Sequence, residues 1–226
     1  MTGLFITLEG GEGSGKSTQA GLMKQWFADL YPGREIIVTR EPGGTEPAEE
    51  IRNILVNGAT DKLAVQTEAL LMIAARIEHV LKVVKPALMR DAIVICDRFS
   101  DSTLVYQGLA HGHDVDLLRS IHKFGFSDLR PDITFVLDVP PEQGLQRAGN
   151  REKEKNNENR FEEKGLSFHR NVRDGFITLA KDEPGRFIIV DASGTAEQTD
   201  RLIKQHISKR LQEHHANGAQ LSLIHI

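Results

Sequence analysis

At 226 residues, with 39% hydrophobic and 27% charged residues, the chain is long enough to bury a core and has the composition of an ordinary globular domain. A formal net charge of −4 gives no electrostatic basis for wrapping a nucleic acid duplex, although a few aimed arginines and lysines can still hold a small anion. One cysteine excludes an internal disulfide framework, the N-terminal MTGLFITLEGG lacks the basic and long apolar regions of a secretory signal, and no run approaches the ~18 apolar residues of a membrane span, so a cytoplasmic protein with no membrane or nucleic acid partner is expected.

In chain order, Leu4 to Leu8 is a short apolar run and a predicted strand. A glycine cluster follows, then an amphipathic stretch from Lys16 to Leu30 closed by Pro32 and Gly33, which reads as strand, loop, helix. Glu35 to Thr39 is a second strand. Helical apolar spacing runs over Glu46 to Val56 and Gln66 to Met89, and Ala92 to Cys96 is a third strand carrying Cys96 as a buried thiol. Asp116 to Phe124 is helical, and Asp132 to Asp138 is a fourth strand. Pro140 and Pro141 suit the first turn of the next helix. The polar, Asn-rich stretch Gly149 to Asn159 reads as a flexible loop, within a mobile lid at about 147–161. Phe187 to Val190 is a fifth strand and Ala196 to Leu211 a last helix, and the tail from His214 to Ile226, ending LSLIHI, has no helix signal. The expected fold is α/β: one domain over 1–213, with a five-stranded parallel sheet, helices on both faces, and the strand C-termini on a single ligand-binding edge.

Gly10, Gly11, Glu12, Gly13, Ser14, Gly15, Lys16 and Ser17 fit G-x-x-x-x-G-K-[ST] between a strand and a helix, where the mechanism of that motif needs them. The glycines let backbone N–H groups surround phosphate oxygens, and the helix N-terminus, with Thr18 in its first turn, adds its positive end. Lys16 is placed to reach the β- and γ-phosphates and the Ser17 hydroxyl to hold Mg²⁺. This motif implies a nucleotide and a metal ion without specifying the reaction. Arg40-Glu-Pro-Gly-Gly-Thr45 follows the second strand directly, and Asp97-Arg98-Phe99 follows the third. Arginines at strand ends beside a phosphate loop suggest a second anion facing the first, because a planar guanidinium binds two phosphate oxygens at once.

Together these segments resemble the bacterial thymidylate kinases, over about Leu4 to Leu211. The resemblance is carried by the phosphate loop, Arg40–Thr45, Asp97-Arg98-Phe99 with Ser102, Thr103 and Tyr106-Gln107-Gly108, Leu137-Asp-Val-Pro-Pro141, and Arg160-Phe161-Glu162. It implies a P-loop fold, ATP as donor, dTMP as acceptor, Mg²⁺ and a homodimer. Residue by residue it places Glu12 at the sugar 3′-hydroxyl of dTMP, Arg98 and Arg40 on the acceptor phosphate, and Asp97 near the metal and phosphates. Arg76, Gln107 and Thr103 fall around the thymine, and Tyr106 against the 2′ position. Met72 stands where many relatives have a Phe against the base, His111 where an Arg often follows the Tyr-Gln-Gly block, and Asn159 where an Asp usually precedes Arg160. The lid is longer than the bacterial pattern. None of Gly11, Glu12, Gly13 and Ser14 is basic, so the chain resembles the type that supplies its catalytic arginine from the lid, with Arg151 first, Arg147 second and Lys153 as the fallback.

Other readings are a kinase for another deoxynucleoside monophosphate, kept open by Met72, a GTP-binding switch, and a nucleotide sensor without catalysis. The switch lacks its N-K-x-D guanine signature, and the complete Gly15-Lys16-Ser17 argues against the sensor. The nine histidines show no paired metal-ligand spacing on a helix with a third ligand.

Overall fold

The computed structural model describes residues 3–152 and 160–216. Five parallel strands form one sheet: β1 (Leu4–Glu9), β2 (Ile36–Arg40), β3 (Ile93–Asp97), β4 (Ile133–Asp138) and β5 (Phe187–Asp191), in the order β2-β3-β1-β4-β5. All six residues of the central strand β1 are buried, polar Thr7 and Glu9 included, as befits a parallel strand covered on both faces. Its pleat still sorts the side chains. Leu4, Ile6 and Leu8 pack with Met23 and Phe27 of α1 (Lys16–Leu30) and with Ile203 and Ile207 of α9 (Ala196–Ala216). Phe5 faces the opposite layer with Val84, Leu88, Phe99 and Phe126. The register pairs both Leu8 and Arg40 with Asp97, so three strands deliver their C-terminal residues to one edge.

Local chemistry sets the helix boundaries. Thr45 caps α2 (Glu46–Val56) by accepting from Ala48 N, with Glu46 and Glu49 in the first turn, and Gly58 beyond its end has φ +98°. Asp114 caps α6 (Val115–Phe126) by accepting from the Asp116 and Leu117 amides. The single helix expected over Gln66 to Met89 is instead α3 (Val65–His79), a π-helical turn (Val80–Val84) and α4 (Lys85–Met89) on one continuous path. Pro86 supplies the reason: without an N–H it cannot continue the regular ladder, and widening the preceding turn absorbs the defect. After β3 the chain forms α5 (Ser100–Thr103), a second π-helical turn (Leu104–Gly108) and a 3₁₀ turn (Leu109–His111).

Two expectations at the ends of elements are corrected. The helix after β4, α7, runs from Pro141 to Glu152, so Gly149 to Glu152 are helical rather than loop, while the rest of that stretch, 153–159, lies outside the described residues. The last helix continues past Leu211 to Ala216, because no glycine or proline interrupts it before Asn217-Gly218; of the expected tail, 214–216 are therefore helical. α8 (Leu166–Asp182) leads into β5. Among the described residues no helix is long and apolar enough to cross a membrane.

Candidate active site

The edge formed by the strand C-termini opens into one cleft of about 480 Å³, which reaches from the phosphate loop to Gln107. The phosphate loop takes the shape its glycines permit. Gly10, Gly13 and Gly15 have φ of +133°, +64° and +91°, and a Cβ on Gly13 would lie 1.9 Å from the Gly144 carbonyl oxygen of α7. Lys16 Nζ lies within the loop, donating to the carbonyls of Gly11 (2.8 Å) and Gly10 (3.2 Å) and to Ser14 Oγ (3.1 Å). Burial and the neighbouring Arg98 charge lower its pKa to about 8, against the pull of Asp97, Glu12 and Glu9. Ser17 Oγ donates to Asp97 Oδ2 at 2.6 Å, so the two groups expected at a metal meet across the mouth of the loop. Both offer oxygen, the donor type a small hard cation such as Mg²⁺ requires, so these residues fit that ion. Thr18 is exposed in the first turn of α1 and is not among the residues lining the cleft.

Facing the loop stands Arg98, held in the left-handed region at φ +69°, where a non-glycine residue costs on the order of 1–3 kcal/mol. Its neighbours fix that conformation. Arg98 N donates to Leu8 O, Cys96 Sγ to Arg98 O, and buried Glu9 accepts from Phe99 N (2.8 Å) and Ser102 Oγ (2.6 Å). Burial, then the charge of Asp101, push the Glu9 carboxyl up to about 7. The Arg98 guanidinium lies 5.0 Å from the Tyr106 ring centre and donates to Glu12 Oε1 (2.7 Å), Gly10 O and Ser102 Oγ. Tyr106 Oη donates to the same Glu12 oxygen at 2.9 Å. Burial alone would raise the Glu12 pKa, but Arg98, Lys16 and the Tyr106 hydroxyl overcome it and hold the group at about 2.

The far end of the cleft is built by side chains. Arg76, 2% exposed, spends four of its five N–H donors on the protein: Glu41 Oε2 (2.5 Å), Thr103 Oγ1 (2.9 Å), His122 Nε2 (2.9 Å) and the Phe99 carbonyl (3.0 Å). Burial and this cation lower the His122 pKa to about 3, so the ring is neutral and accepts from Arg76. Met72, Thr103 and Gln107 line the same wall. Arg40 lies at the rim, 54% exposed, with its guanidinium on Glu49 (3.0 and 3.2 Å).

Thus Glu12, Lys16, Ser17, Arg40, Met72, Arg76, Asp97, Arg98, Thr103, Tyr106 and Gln107, which were expected at the site, all line one cavity. Arg147 is placed elsewhere. It lies in α7 and donates to the carbonyls of Ala192, Ser193 and Gly194 after β5. Arg151 belongs to the last turn of α7, but its side chain, like all of Lys153, lies outside the described residues. Several lining or supporting residues were given no site role by the sequence reading. Arg52 reaches the cleft from α2 and donates to Pro42 O, and Glu41 fastens Arg76. Phe161 and Glu162 close one side, and Glu9 secures the Arg98 turn. A carboxylate ending an apolar strand was the one available signal for Glu9.

Known proteins resemble this chain over most of its length. The family model described as thymidylate kinase matches residues 8–203. A thymidylate kinase of Caulobacter vibrioides is 43% identical over 209 residues, covering 92% of this chain and 98% of that protein. One of Geobacter sulfurreducens is 43% identical over 211 residues with the same coverage. Among solved structures, the thymidylate kinase of Ehrlichia chaffeensis superposes with a TM-score of 0.73 at 35% identity, covering 91% of this chain and 98% of that one.

Proposed function

The chain belongs to the thymidylate kinase family, and from that premise we propose how its cleft carries out the family's reaction. The enzyme transfers the γ-phosphoryl group of ATP to dTMP, giving dTDP and ADP, a step toward dTTP. Phosphoryl transfer asks little covalent chemistry of a protein; alignment and charge stabilisation carry it. The amides of Gly10–Ser17 and Lys16 hold the donor phosphates. Ser17 and Asp97 hold Mg²⁺, which when bound neutralises phosphate charge. Arg98 and Arg40 align the acceptor phosphate opposite the loop, Glu12 takes the sugar 3′-hydroxyl, and Tyr106 crowds the 2′ position. Met72, Arg76, Thr103 and Gln107 seat the thymine. Arg151, with Lys153 behind it, brings positive charge from the lid to the transferring group and helps exclude water, while Arg147, bonded to the carbonyls after β5, braces α7 beneath the lid.

The observation that carries this reading is the juxtaposition of Arg98 with the phosphate loop, through Glu12 at 2.7 Å and Gly10 O at 3.1 Å. Two cationic centres facing one another across a single cleft suit two phosphorylated substrates. ADP release measured with ATP, Mg²⁺ and each of dTMP, dUMP, dGMP and dCMP tests it. Turnover preferring dTMP is expected; turnover that is the same without any acceptor contradicts it.

The working unit is a homodimer in the cytoplasm, each subunit one kinase domain over 1–213. The dimer is supported by apolar side chains left exposed at helical spacing: Leu70 and Leu81 along α3 and its π-helical turn, and Leu117 and Phe124 on α6. Light scattering at micromolar concentration, giving twice the mass of the chain, is the expected result.

A further inference from the structure

Behind the base seat lies a buried polar chain that phosphoryl transfer does not itself require. Glu68 of α3 is 1% exposed, and each carboxylate oxygen has its own partner. Oε2 accepts from Arg160 Nη1 at 2.6 Å, and Oε1 accepts from Gln107 Nε2 at 2.8 Å. Arg160 is equally buried, and it also donates to the carbonyls of Leu55 in the last turn of α2 and of Ala59 and Thr60 between α2 and α3. Four of its five donors are therefore fixed by protein acceptors, and Glu68 is fixed by Arg160 in turn. Burying such an ion pair gains little stability against apolar side chains of the same volume, so its value lies in the geometry it imposes.

That geometry acts on Gln107. An amide side chain can present either its carbonyl or its NH₂ to a ligand, and the two ends differ only in hydrogen-bonding sense. A carboxylate paired with a guanidinium offers acceptors alone, so Glu68 can hold only the nitrogen. Gln107 Oε1 then remains for the cleft that the residue lines, and among the described residues no donor is recorded for it.

We propose that Glu68, anchored by Arg160, is a positioning residue for base specificity: it pins Gln107 with its carbonyl toward the acceptor base. The seat then admits a pyrimidine whose ring nitrogen N3 carries a hydrogen and rejects one whose N3 is an acceptor. Thymine belongs to the first class and cytosine to the second. A site whose buried polar group is left facing a like group discriminates far more strongly than a change of one methylene. The inference rests on the base seat assigned above.

dTMP and the 5-methyl derivative of dCMP share sugar, phosphate and methyl group and differ only along this ring edge. The test is the ratio of their kcat/KM values in the unaltered enzyme, in Glu68→Gln and in Gln107→Leu. A glutamine at position 68 gives its carbonyl to Arg160, which has donors alone, and so turns its NH₂ toward Gln107, which removes the pinning of the Gln107 nitrogen. The preference for dTMP is expected to fall at least about tenfold in Glu68→Gln, more through KM for the monophosphates than through kcat, with KM for ATP changed by no more than about twofold. If folded Glu68→Gln keeps the preference while Gln107→Leu loses it, the proposal is overturned and the base seat stands. If neither loses it, the seat itself is misplaced. An equal loss of kcat/KM for both nucleotides shows a structural role only and also overturns the proposal. Should the unpaired Arg160 prevent Glu68→Gln from folding, the double variant Glu68→Gln/Arg160→Met removes the buried charge and carries the same readout. In the unaltered protein, NMR of the Gln107 side-chain amide is expected to show one exchange-protected Nε2 hydrogen with and without dTMP; fast exchange of both hydrogens contradicts the pinning.

Discussion

The two ends of the cleft that we assign to donor and acceptor are built by different means. The donor end is one contiguous loop, Gly10 to Ser17, whose ligand groups are largely backbone amides and whose conformation follows from glycines at positive φ. The acceptor end is assembled from side chains on α2, α3, the turn after β3 and the π-helical turn at Leu104–Gly108. Backbone cradles tolerate substitution wherever glycine is kept. Side-chain seats depend on every partner, since Arg76 alone joins Glu41, Thr103, His122 and Phe99. On the proposed assignment, phosphate binding and base reading reside in separate parts of the chain.

Substitutions sharpen that division. The largest effect is expected between the two ends, at the transferring group. Arg151→Ala lowers kcat by roughly 10³–10⁵-fold with little change in the binding of either nucleotide, as for other arginines placed on a transferring phosphoryl group. Arg147→Ala is milder, in keeping with its bonds to the carbonyls of Ala192, Ser193 and Gly194. Single-turnover rates for these variants and Lys153→Ala check this, and near-normal rates in all three move the charge to Arg40 or Arg98. At the donor end, Lys16→Ala lowers kcat by about 10²–10³-fold in a folded protein, the loss typical of one removed charge-stabilising donor. Normal kcat would remove Lys16 from the chemistry.

The donor end also predicts a pH dependence. Lys16, lowered to about 8, is protonated below that pH in the free enzyme and loses its charge as pH rises through it. An anionic nucleotide binds the protonated form, so its affinity falls about tenfold between pH 7 and 9. Calorimetry of a nonhydrolysable ATP analogue checks this, and Lys16→Ala removes the dependence. The smallest effect belongs to the base seat: Met72→Phe leaves dTMP binding equal or tighter, by on the order of 0.5–1.5 kcal/mol, since a ring offers thymine a larger face than a thioether. Clear weakening would show that Met72 serves packing instead.

The same division explains what could be read from sequence. The five strands and most helices were visible because apolar runs and turn residues are local, and the phosphate loop because its motif is contiguous. The π-helical turn at Val80–Val84 was not visible, since a proline marks a defect without saying how the helix absorbs it. At the acceptor end, Arg98 was legible because it follows a strand. Arg52 and Glu68 were not: each is an ordinary charge on a helix until the fold turns it toward Pro42, or toward Gln107 and Arg160. Helix extent at Gly149–Glu152 was misread because polar composition there suggested loop.

The separation of the two ends is tested most directly by equilibrium binding of dTMP and of a nonhydrolysable ATP analogue to Arg98→Ala and Lys16→Ala. Arg98→Ala is expected to weaken dTMP by about 10²-fold, as when one partner of a buried charge pair is removed, and to leave the ATP analogue nearly unchanged. Lys16→Ala is expected to do the reverse. Equal loss of both ligands in either variant would contradict the assignment of Arg98 to the acceptor and of the loop to the donor.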